Sequence, residues 1–509
     1  MTDDGAPVGN PTYMGDIRKM IRPVDIEHML DPNISGGGIQ LGTYEGVRAN
    51  ALRIYFRVKE KSMPPDRPWS DAWVETFYNW MRNGYPRGQG EPVALAMLSA
   101  PSAAGRVRRN LKDLSGPEKA KVKAAFAGMM NRDPGDPQSY FALAGIHWLP
   151  GGGPAIYYCR HHENAYNPWH RAYMLRFEDA MRSVPGCEDV TLPYWDITDP
   201  DIPPILWEEP FESYEVPLQL CPLEGACYPP AGSSQKYRTD RYPPAQVWQN
   251  LIERKVPDLV KGALANSWWE LFDGWDGDNT HRGIISAHDS GHNSCGTTMQ
   301  NQDVSAFDPI FWFFHCNWDR LWWKWQQTYG ATTLTAFKTH LQGVPDWLDD
   351  PVLNLLPPFE LRTRETIDLT SLDVDYEHPL TEAVPQPRPA LVGSLPAGRS
   401  FDVSPRSQVS VRVKDVNRLE IPGSFDVSLW AGDKLLGKIG LFQPTTPKRC
   451  ATCRKSGLAS FDFLVDQADL ASGPVHAEIT LLARDGSEVP FSAARAGNPT
   501  INARLLLQE

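Results

Sequence analysis

"DPIFWFFHCNWDRLWWKWQ", residues 308–326, sets a single histidine, His315, inside a run rich in aromatic residues. The length and apolar character of the run predict a buried helix over 308–328. Burying an imidazole is costly unless the ring is hydrogen-bonded or bound to a metal ion. A hydrogen-bonded core histidine is the plainer interpretation. Asp319 follows on the same segment, where a carboxylate would suit the orientation of a metal-bound imidazole.

A second stretch, "CRHHENAYNPWHRAYMLRFE" at 159–178, also mixes histidines with aromatic residues. It predicts an amphipathic helix over 167–184 that begins near His170, and it places His161 nine residues earlier. Upstream, the apolar run in "YFALAGIHWLP" ends at His147. Three histidines therefore fall in this half of the central region.

The stretch "SAHDSGHN" places His288 and His292 four residues apart on a helix predicted over 280–293. Residues four apart share one helix face, so both rings can reach one metal ion. The pair alone is weak evidence, because two surface histidines at this spacing are common. A zinc protease of the HExxH type is excluded, because residue 289 is Asp where that motif needs a general-base Glu.

With His315, the sequence thus offers two sets of three imidazoles. Such sets suit copper or zinc, whereas calcium and magnesium prefer carboxylate and carbonyl oxygens. Two such ions held close together could bind dioxygen between them.

In order and spacing, the stretches at 145–148, 159–178, 192–196, 288–292 and 308–326 resemble those of the type-3 copper proteins. These are the tyrosinases, the catechol oxidases (polyphenol oxidases) and the copper domain of molluscan haemocyanins. The resemblance implies a dinuclear copper site with dioxygen as co-substrate. The implied ligands are His147, His161 and His170 for the first copper ion, and His288, His292 and His315 for the second.

The same resemblance implies an oxidoreductase that converts phenolic substrates, o-diphenols, to o-quinones, and a monooxygenase if monophenols are accepted as well. A haemocyanin-like dioxygen carrier shares all six ligands and is the alternative. A zinc hydrolase is a third and more distant one.

Two finer assignments concern the first copper site. By likeness to fungal tyrosinases, Cys159 would be joined to His161 by a thioether bond, and the alternative is a free buried thiol. The Trp-His-Arg step that follows favours His161 over its neighbour His162 as the ligand. In the last motif, Phe314 stands where the family usually has a first histidine.

The substrate mouth is also assigned by resemblance. Asp289 and Asn293 directly follow the first two ligands of the second copper ion and are the predicted catalytic residues, and Gln302 is the predicted polar gate. A glutamate that many tyrosinases use to hold a water is missing from the expected positions. Asp289, or else Asp276 or Asp278, would have to act as the base, which puts hydroxylation of monophenols in doubt.

Patterning and resemblance together predict a mainly α-helical central domain, a four-helix bundle around the dicopper site with long loops, followed by a C-terminal β-sandwich or barrel. We expect the central domain with an N-terminal extension at 1–373, a Pro-rich linker at 374–398, and the β-domain at 399–509, where short strands alternate with period two. As in plant polyphenol oxidases, this domain could be a lid that keeps the enzyme latent.

Other cysteines and elements receive simpler predictions. Cys450 and Cys453 are candidates for copper loading by likeness to fungal tyrosinases, with a disulfide or an exposed pair as alternatives. Buried thiols are expected at 187, 295 and 316, and a pair at 221 and 227 only if oxidised.

A strand is predicted over 50–59 and a helix over 71–84. A further helix, within 113–130, is predicted to be capped by Ser115.

Composition narrows the function classes. The chain has 509 residues and a net charge of −12, with no basic block, so nucleic acid is not an expected partner. No apolar run of about 18 residues is present, so no membrane association is expected. The acidic, polar start lacks the pattern of a secretory signal, which predicts a cytoplasmic protein. A homo-oligomer is compatible with the sequence.

Overall fold

The computed structural model describes residues 6–30, 41–83, 85–88, 105–133, 136–147, 159–215, 236–274, 280–342, 345–350, 354–377, 408–483 and 486–505. Within these ranges the chain forms a helical body followed by a strand-rich C-terminal region.

The helical body contains helices of very different lengths. Those of eight residues or more span Pro23–Leu30, Ala51–Lys59, Asp71–Arg82, Gly116–Met130, Tyr140–His147, Tyr166–Arg182, Pro244–Glu253, Val256–Leu264, Gly283–Cys295 and Ile310–Tyr329. Shorter helices span Arg18–Met20, Tyr44–Ala49, Trp269–Asp273, Thr297–Gln300, Leu334–Lys338, Asp346–Asp349, Ala451–Lys455 and Gln467–Leu470, the last two in the C-terminal region.

The five helices predicted from the sequence are present, with ends shifted by a few residues. They are Asp71–Arg82, Gly116–Met130, Tyr166–Arg182, Gly283–Cys295 and Ile310–Tyr329. The predicted cap is confirmed as well. The hydroxyl of Ser115 accepts a hydrogen bond from the backbone N–H of Glu118, whose carboxylate accepts one from the backbone N–H of Ser115.

The strand predicted over 50–59 is wrong, because this segment is the helix Ala51–Lys59. Ala51, Tyr55 and Val58 are buried, a spacing of i, i+4 and i+7 that gives one helical face. They pack in a small cluster with the helix Asp71–Arg82. A short apolar run rich in aromatic and β-branched residues fits both templates, and tertiary packing selected the helix.

The helix Ile310–Tyr329 lies at the centre of the main core, and nearly all its side chains are buried. Trp312 stacks on Phe177 with ring centroids 3.5 Å apart. The helix ends at Gly330, whose φ of +69° is a left-handed conformation that suits glycine. Burial of each such aromatic contributes roughly 1.5–3 kcal/mol, so this helix is firmly fixed.

Two four-stranded sheets form most of the C-terminal region, in the orders β11-β10-β7-β8 and β12-β6-β9-β4. The strands are β4 Thr280–His281, β6 Gln408–Asn417, β7 Phe425–Ala431, β8 Lys434–Leu441, β9 Leu458–Asp466, β10 Val475–Leu482, β11 Glu488–Phe491 and β12 Thr500–Leu505. The four remaining strands pair outside these sheets: β1 Arg106–Arg108 with β5 Val374–Tyr376, and β2 Ser213–Glu215 with β3 Lys236–Arg238.

Alternation explains why these segments are strands. Val409, Val411 and Val413 are buried, and the residues between them are less so, which is the period-two pattern of a sheet with one covered face. Their side chains belong to one apolar cluster that includes residues of β7, β8 and β9.

The C-terminal sheets are joined to the helical body by backbone pairing. Strand β4, which directly precedes the helix Gly283–Cys295, pairs in parallel with Ser460 and Phe461 of β9. Within the helical body, β5 pairs with β1, so residues 374–376 of the predicted linker belong to a strand of that body. Residues 378–407, the rest of that linker, lie outside the described residues. None of the described helices has the length and hydropathy needed to cross a membrane.

Candidate dinuclear metal centre

Three long helices and one shorter helix carry five of the six histidines that were predicted as metal ligands. His147 ends the helix Tyr140–His147, and His170 lies in the first turns of Tyr166–Arg182. His288 and His292 lie on Gly283–Cys295, and His315 on Ile310–Tyr329. The sixth, His161, lies in the loop that precedes Tyr166–Arg182. All six side chains are buried.

The structure brings each predicted triad together. In the first, the ring centroid of His161 lies 5.1 Å from that of His147 and 5.2 Å from that of His170. Ligand atoms of His147, His161 and Cys159 all lie within 4.8 Å of one another. In the second triad, the ligand atoms of His288, His292 and His315 meet the same limit.

The two triads also face each other. The rings of His170 and His315 stack with centroids 4.6 Å apart and planes 10° apart. The rings of His161 and His288 lie 5.3 Å apart. Six imidazoles therefore surround one small volume, as two metal ions that share a small ligand would require.

Hydrogen bonds at the Nδ1 atoms fix how three of these rings point. The Nδ1–H groups of His170 and His292 donate to the backbone carbonyls of Tyr166 (2.8 Å) and Met299 (2.9 Å). Nδ1–H of His288 donates to Oδ1 of Asp289 (2.7 Å). A proton on Nδ1 leaves the lone pair on Nε2, the atom that then binds a metal ion.

The Nε2 atoms are the evidence that the residues fit a metal centre. Among the described residues, Nε2 of His161, His170 and His288 has no hydrogen-bond partner, although each atom is buried. Nε2 of His292 lies 3.3 Å from Nε2 of His315. Buried nitrogens without partners are expensive, and a bound cation satisfies them.

Burial keeps all six imidazoles neutral. Desolvation lowers the pKa of His170 to about 3. Desolvation and then the neighbouring imidazoles hold the pKa values of His147, His161, His288, His292 and His315 well below the usual range. Neutral imidazole is the form that binds metal ions.

Comparison with known proteins agrees with this geometry. Residues 137–328, which contain all six histidines, match the family model described as the common central domain of tyrosinase. Residues 137–328 therefore carry the tyrosinase central domain. Members of the tyrosinase family hold a dinuclear copper centre, and the two histidine triads are the side chains here that could bind it.

Individual tyrosinase relatives are distant in sequence. The chain is 24% identical over 440 residues to a tyrosinase of Aspergillus oryzae, covering 63% of this chain and 80% of the other. It is 27% identical over 235 residues to a G-type hemocyanin of Enteroctopus dofleini, covering 43% of this chain and 8% of that protein. A tyrosinase structure from Burkholderia thailandensis superposes with a TM-score of 0.56 at 22% identity, over 79% of this chain and 100% of the other.

Cys159 and Gln302 lie together beside the first triad. The Cys159 thiol is free and buried, and desolvation raises its pKa to about 12. The amide nitrogen of Gln302 lies 3.1 Å from Nδ1 of His161 and 3.5 Å from Sγ of Cys159. The predicted gate residue therefore contacts the predicted thioether pair and is itself only 3% exposed.

Asp319, predicted to support a ligand, makes its hydrogen bonds within a buried ion cluster. Its carboxylate accepts from Nε of Arg171 (2.5 Å), from Arg108 (3.0 Å) and from the hydroxyl of Tyr376 (2.6 Å). Arg171 directly follows His170 in the chain. The cluster thus fixes the helix that carries His170, and the negative charge of Asp319 acts on the His170 imidazole, where it partly opposes the lowering of the pKa by burial.

Asp289 and Asn293, the predicted mouth residues, both contact the C-terminal region. The backbone N–H of Phe442 donates to Oδ2 of Asp289 (3.0 Å). The amide of Asn293 donates to Oδ1 of Asp426 (3.0 Å) and to the backbone carbonyl of Phe425 (3.1 Å). The C-terminal region therefore covers the predicted mouth.

The residue that covers it, Phe442, was not identified from the sequence. Its ring stacks on that of His292, with centroids 3.9 Å and planes 8° apart. It follows strand β8, whose Gly440 lies against the ligand helix: a Cβ there would fall 3.0 Å from the Cα of Ser290. No local pattern marks Phe442, because only the packing of β8 on Gly283–Cys295 brings it to the centre.

A further buried group, His162, His281 and Asp289, has ligand atoms within 4.8 Å of one another. Its atoms already have partners. Nε2 of His162 lies 2.9 Å from Oδ2 of Asp289, and Nε2 of His281 lies 2.9 Å from the carbonyl of Gly440. Nδ1 of His162 lies 2.5 Å from a guanidinium nitrogen of Arg418, a residue of the C-terminal region. These hydrogen bonds satisfy the polar atoms of the group without a bound metal ion.

The cysteines divide as follows. Cys450 and Cys453 form a disulfide and are buried, so they would have to be reduced before offering thiolates to copper. Cys187, Cys295 and Cys316 are free and buried, as predicted. Cys221 and Cys227, like Asp276 and Asp278, lie outside the described residues.

Proposed function

We propose that this protein is a copper-dependent oxidase that uses dioxygen to convert o-diphenols to o-quinones. The single observation that supports this most strongly is the convergence of six buried, neutral imidazoles in two facing triads. In this proposal His147, His161 and His170 hold one copper ion, and His288, His292 and His315 hold the other. The helices that carry them form the four-helix bundle of the family.

When bound, the two copper ions supply dioxygen binding and two-electron oxidation of the phenol. The protein's own residues prepare the site. The carbonyls of Tyr166 and Met299 and the carboxylate of Asp289 hold three imidazoles with Nε2 directed inward. Phe311, 4.1 Å from the ring of His315, and Phe314, 4.6 Å from that of His292, form an apolar wall that excludes water.

We infer further that the oxidase is latent in the conformation described. A planar phenolic ring that stacks on His292 would need the place that Phe442 occupies. In this proposal the β-domain is the lid, and Phe442 is the side chain that blocks the substrate. Displacement of Phe442 opens the site.

Several site roles stay proposals. Once the lid leaves, Asp289 loses the N–H of Phe442 and is placed beside His288 to accept a proton from the phenol. Asn293, which bonds to Phe425 and Asp426, becomes part of the mouth only in the open state. Monophenol hydroxylation is the finer activity that depends on Asp289.

A haemocyanin-like dioxygen carrier is the second candidate, and the position of Phe442 favours it, because a ring on His292 excludes phenols more strongly than it excludes dioxygen. Oxygen uptake with a simple catechol distinguishes the two. An oxidase consumes dioxygen continuously as quinone forms once the lid is displaced. A carrier binds a fixed amount of dioxygen and forms no quinone, even after Phe442 is replaced by alanine.

A further inference from the structure

We propose that His162 and Asp289 form a hydrogen-bond relay between Arg418 of the C-terminal β-domain and the ring of His288, so that docking of the β-domain sets the orientation of one metal-binding imidazole. The proposal deepens the proposed function, since it takes His288 as a copper ligand. In it, Asp289 and His162 are positioning residues.

Asp289 is the centre of the relay. Its Oδ1 accepts from Nδ1–H of His288 at 2.7 Å. Its Oδ2 accepts from Nε2 of His162 at 2.9 Å and from the backbone N–H of Phe442 at 3.0 Å. The side chain is fully buried, so both oxygens depend on these protein donors. One carboxylate thus joins a ligand imidazole to the lid.

The tautomer of His162 follows from its partners. A guanidinium offers only donors, so Nδ1 of His162, 2.5 Å from Arg418, must be the acceptor. The ring proton then lies on Nε2, where it is donated to Asp289. His162 also has a φ of +58°, a left-handed conformation that non-glycine residues rarely adopt and that surrounding contacts must maintain. These contacts hold the ring between the two charged groups.

Arg418 provides the link to the β-domain. Its side chain is 2% exposed, and a buried cation is costly unless an anion and hydrogen bonds compensate it. The attraction comes from Asp289, across the imidazole of His162. Nε of Arg418 donates to Oε1 of Gln443 at 3.0 Å, and Gln443 directly follows Phe442. Arg418 and Gln443 both belong to the C-terminal region, so of these contacts those with His162 and Asp289 are the ones that join the buried cation to the helical body.

The competing interpretation is a third metal site formed by His162, His281 and Asp289. The relay is favoured because Nε2 of His162 is the donor to Asp289 and Nε2 of His281 donates to the carbonyl of Gly440. In addition, the Arg418 cation lies against the imidazole that would have to bind the ion.

The relay predicts a specific defect in metal binding. Loss of a group that orients a metal-bound histidine typically weakens metal affinity about 10-fold to 100-fold. We expect Arg418→Gln to weaken the binding of one of the two copper ions by about 10-fold, and Arg418→Lys, which keeps a charged donor, to restore part of it. Lys455→Gln is the control, because it removes a lid contact to Glu163 (3.1 Å) at an exposed site outside the relay.

The experiment measures copper(I) affinity of the full chain by competition with a chelator, with thermal unfolding of each variant as the check on folding. A second measurement records the nitrogen NMR signals of the histidines in the copper-free wild type. Weakened binding in Arg418→Gln alone, with Nε2–H on His162, supports the relay. Equal affinities in a folded Arg418→Gln protein, Nδ1–H on His162, or three metal ions per chain would overturn it.

The NMR measurement decides the question even if Arg418→Gln fails to fold. Failure of the proposed function has a different signature. A Phe442→Ala protein that binds two copper ions but forms no quinone from a catechol would refute the oxidase and leave the relay intact, whereas a wild type that binds no copper would remove the proposed function itself.

Discussion

The rings of Phe442 and His292 lie parallel, 3.9 Å apart, and this contact joins the C-terminal β-domain to the metal centre. Stacked aromatic pairs contribute about 0.5–1.5 kcal/mol beyond burial of their surface. A substrate ring must displace Phe442 from this position, so the stacking energy opposes substrate binding.

Replacing Phe442 by alanine should therefore raise kcat/KM for a small catechol by about 2-fold to 12-fold, the range that this stacking energy gives. Initial rates of oxygen uptake at saturating dioxygen are the measurement. Leu464→Ala, at an exposed position of β9, is the control for substitution within the same domain. An unchanged rate in a Phe442→Ala protein with full copper content would show that this ring is no barrier.

Gly440→Ala should also increase activity, through the backbone of the lid. A Cβ at residue 440 would lie 2.6 Å from the amide of Asn293 and 3.0 Å from the Cα of Ser290, so β8 must move away from the ligand helix. Gly262→Ala meets no atom within 4 Å and is the matched control. The same oxygen-uptake assay applies, and a Gly440→Ala protein as slow as the control would contradict close docking.

Cleavage between the domains should leave them associated. Strand β4 pairs with β9, and the buried guanidinium of Arg254 donates to Asp426 at 2.6 Å. Separation would break this backbone pairing and expose apolar surface that the two regions now cover, and both changes oppose dissociation. We expect a protein cut at a protease site engineered between residues 385 and 395 to elute as one species until urea is added. Fragments that separate in plain buffer would refute this.

Acid should destabilise the copper-free protein. Burial lowers the pKa of His162 and of His170 to about 3, whereas both titrate near 6.5 in an unfolded chain. Below pH 6.5 the unfolded chain binds protons that the folded chain does not, so the free energy of unfolding decreases as the pH is lowered. Each such histidine reduces it by about 1.4 kcal/mol per pH unit below pH 6.5, and above pH 6.5 the full stability is present.

Thermal unfolding at pH 7.5, 6 and 5 checks this dependence. Replacing His162 by Asn, which tolerates the left-handed conformation at this position, should make the melting temperature depend less on pH. A melting temperature that stays constant between pH 7.5 and pH 5 would mean that the buried imidazoles are protonated in the fold.

Copper loading in air should make the protein lighter by two hydrogen atoms. Sγ of Cys159 lies within 4.8 Å of a ring nitrogen of His161, so a thioether can form with loss of the thiol hydrogen and one ring hydrogen, dioxygen accepting the electrons. Intact mass after reduction of the Cys450–Cys453 disulfide is the measurement. Cys159→Ser should show no loss, and an unchanged wild-type mass would argue for a free thiol.

The six histidines could be predicted because their motifs are local. The four-residue step from His288 to His292 and the aromatic run around His315 are visible in the printed chain. The partners of these residues were less predictable. Phe442 reaches the centre because β8 packs across the ligand helix, and Arg418 does so because the turn after β6 lies against His162. No spacing within either segment indicates these contacts.

The helix Ala51–Lys59 shows a different limit. Its short run of aromatic and β-branched residues satisfies both a strand and a helix template, and the choice depended on packing against Asp71–Arg82. Gln302 is a similar case, since it was predicted as a polar gate to the substrate and the fold buries it against Cys159.

The most direct measurement is the copper content of the reconstituted Phe442→Ala protein, determined together with its oxygen uptake on a catechol. We expect two copper ions per chain, and continuous dioxygen consumption with formation of an o-quinone. Fewer than two copper ions after full reconstitution, or two copper ions with no quinone formed, would refute the proposed oxidase.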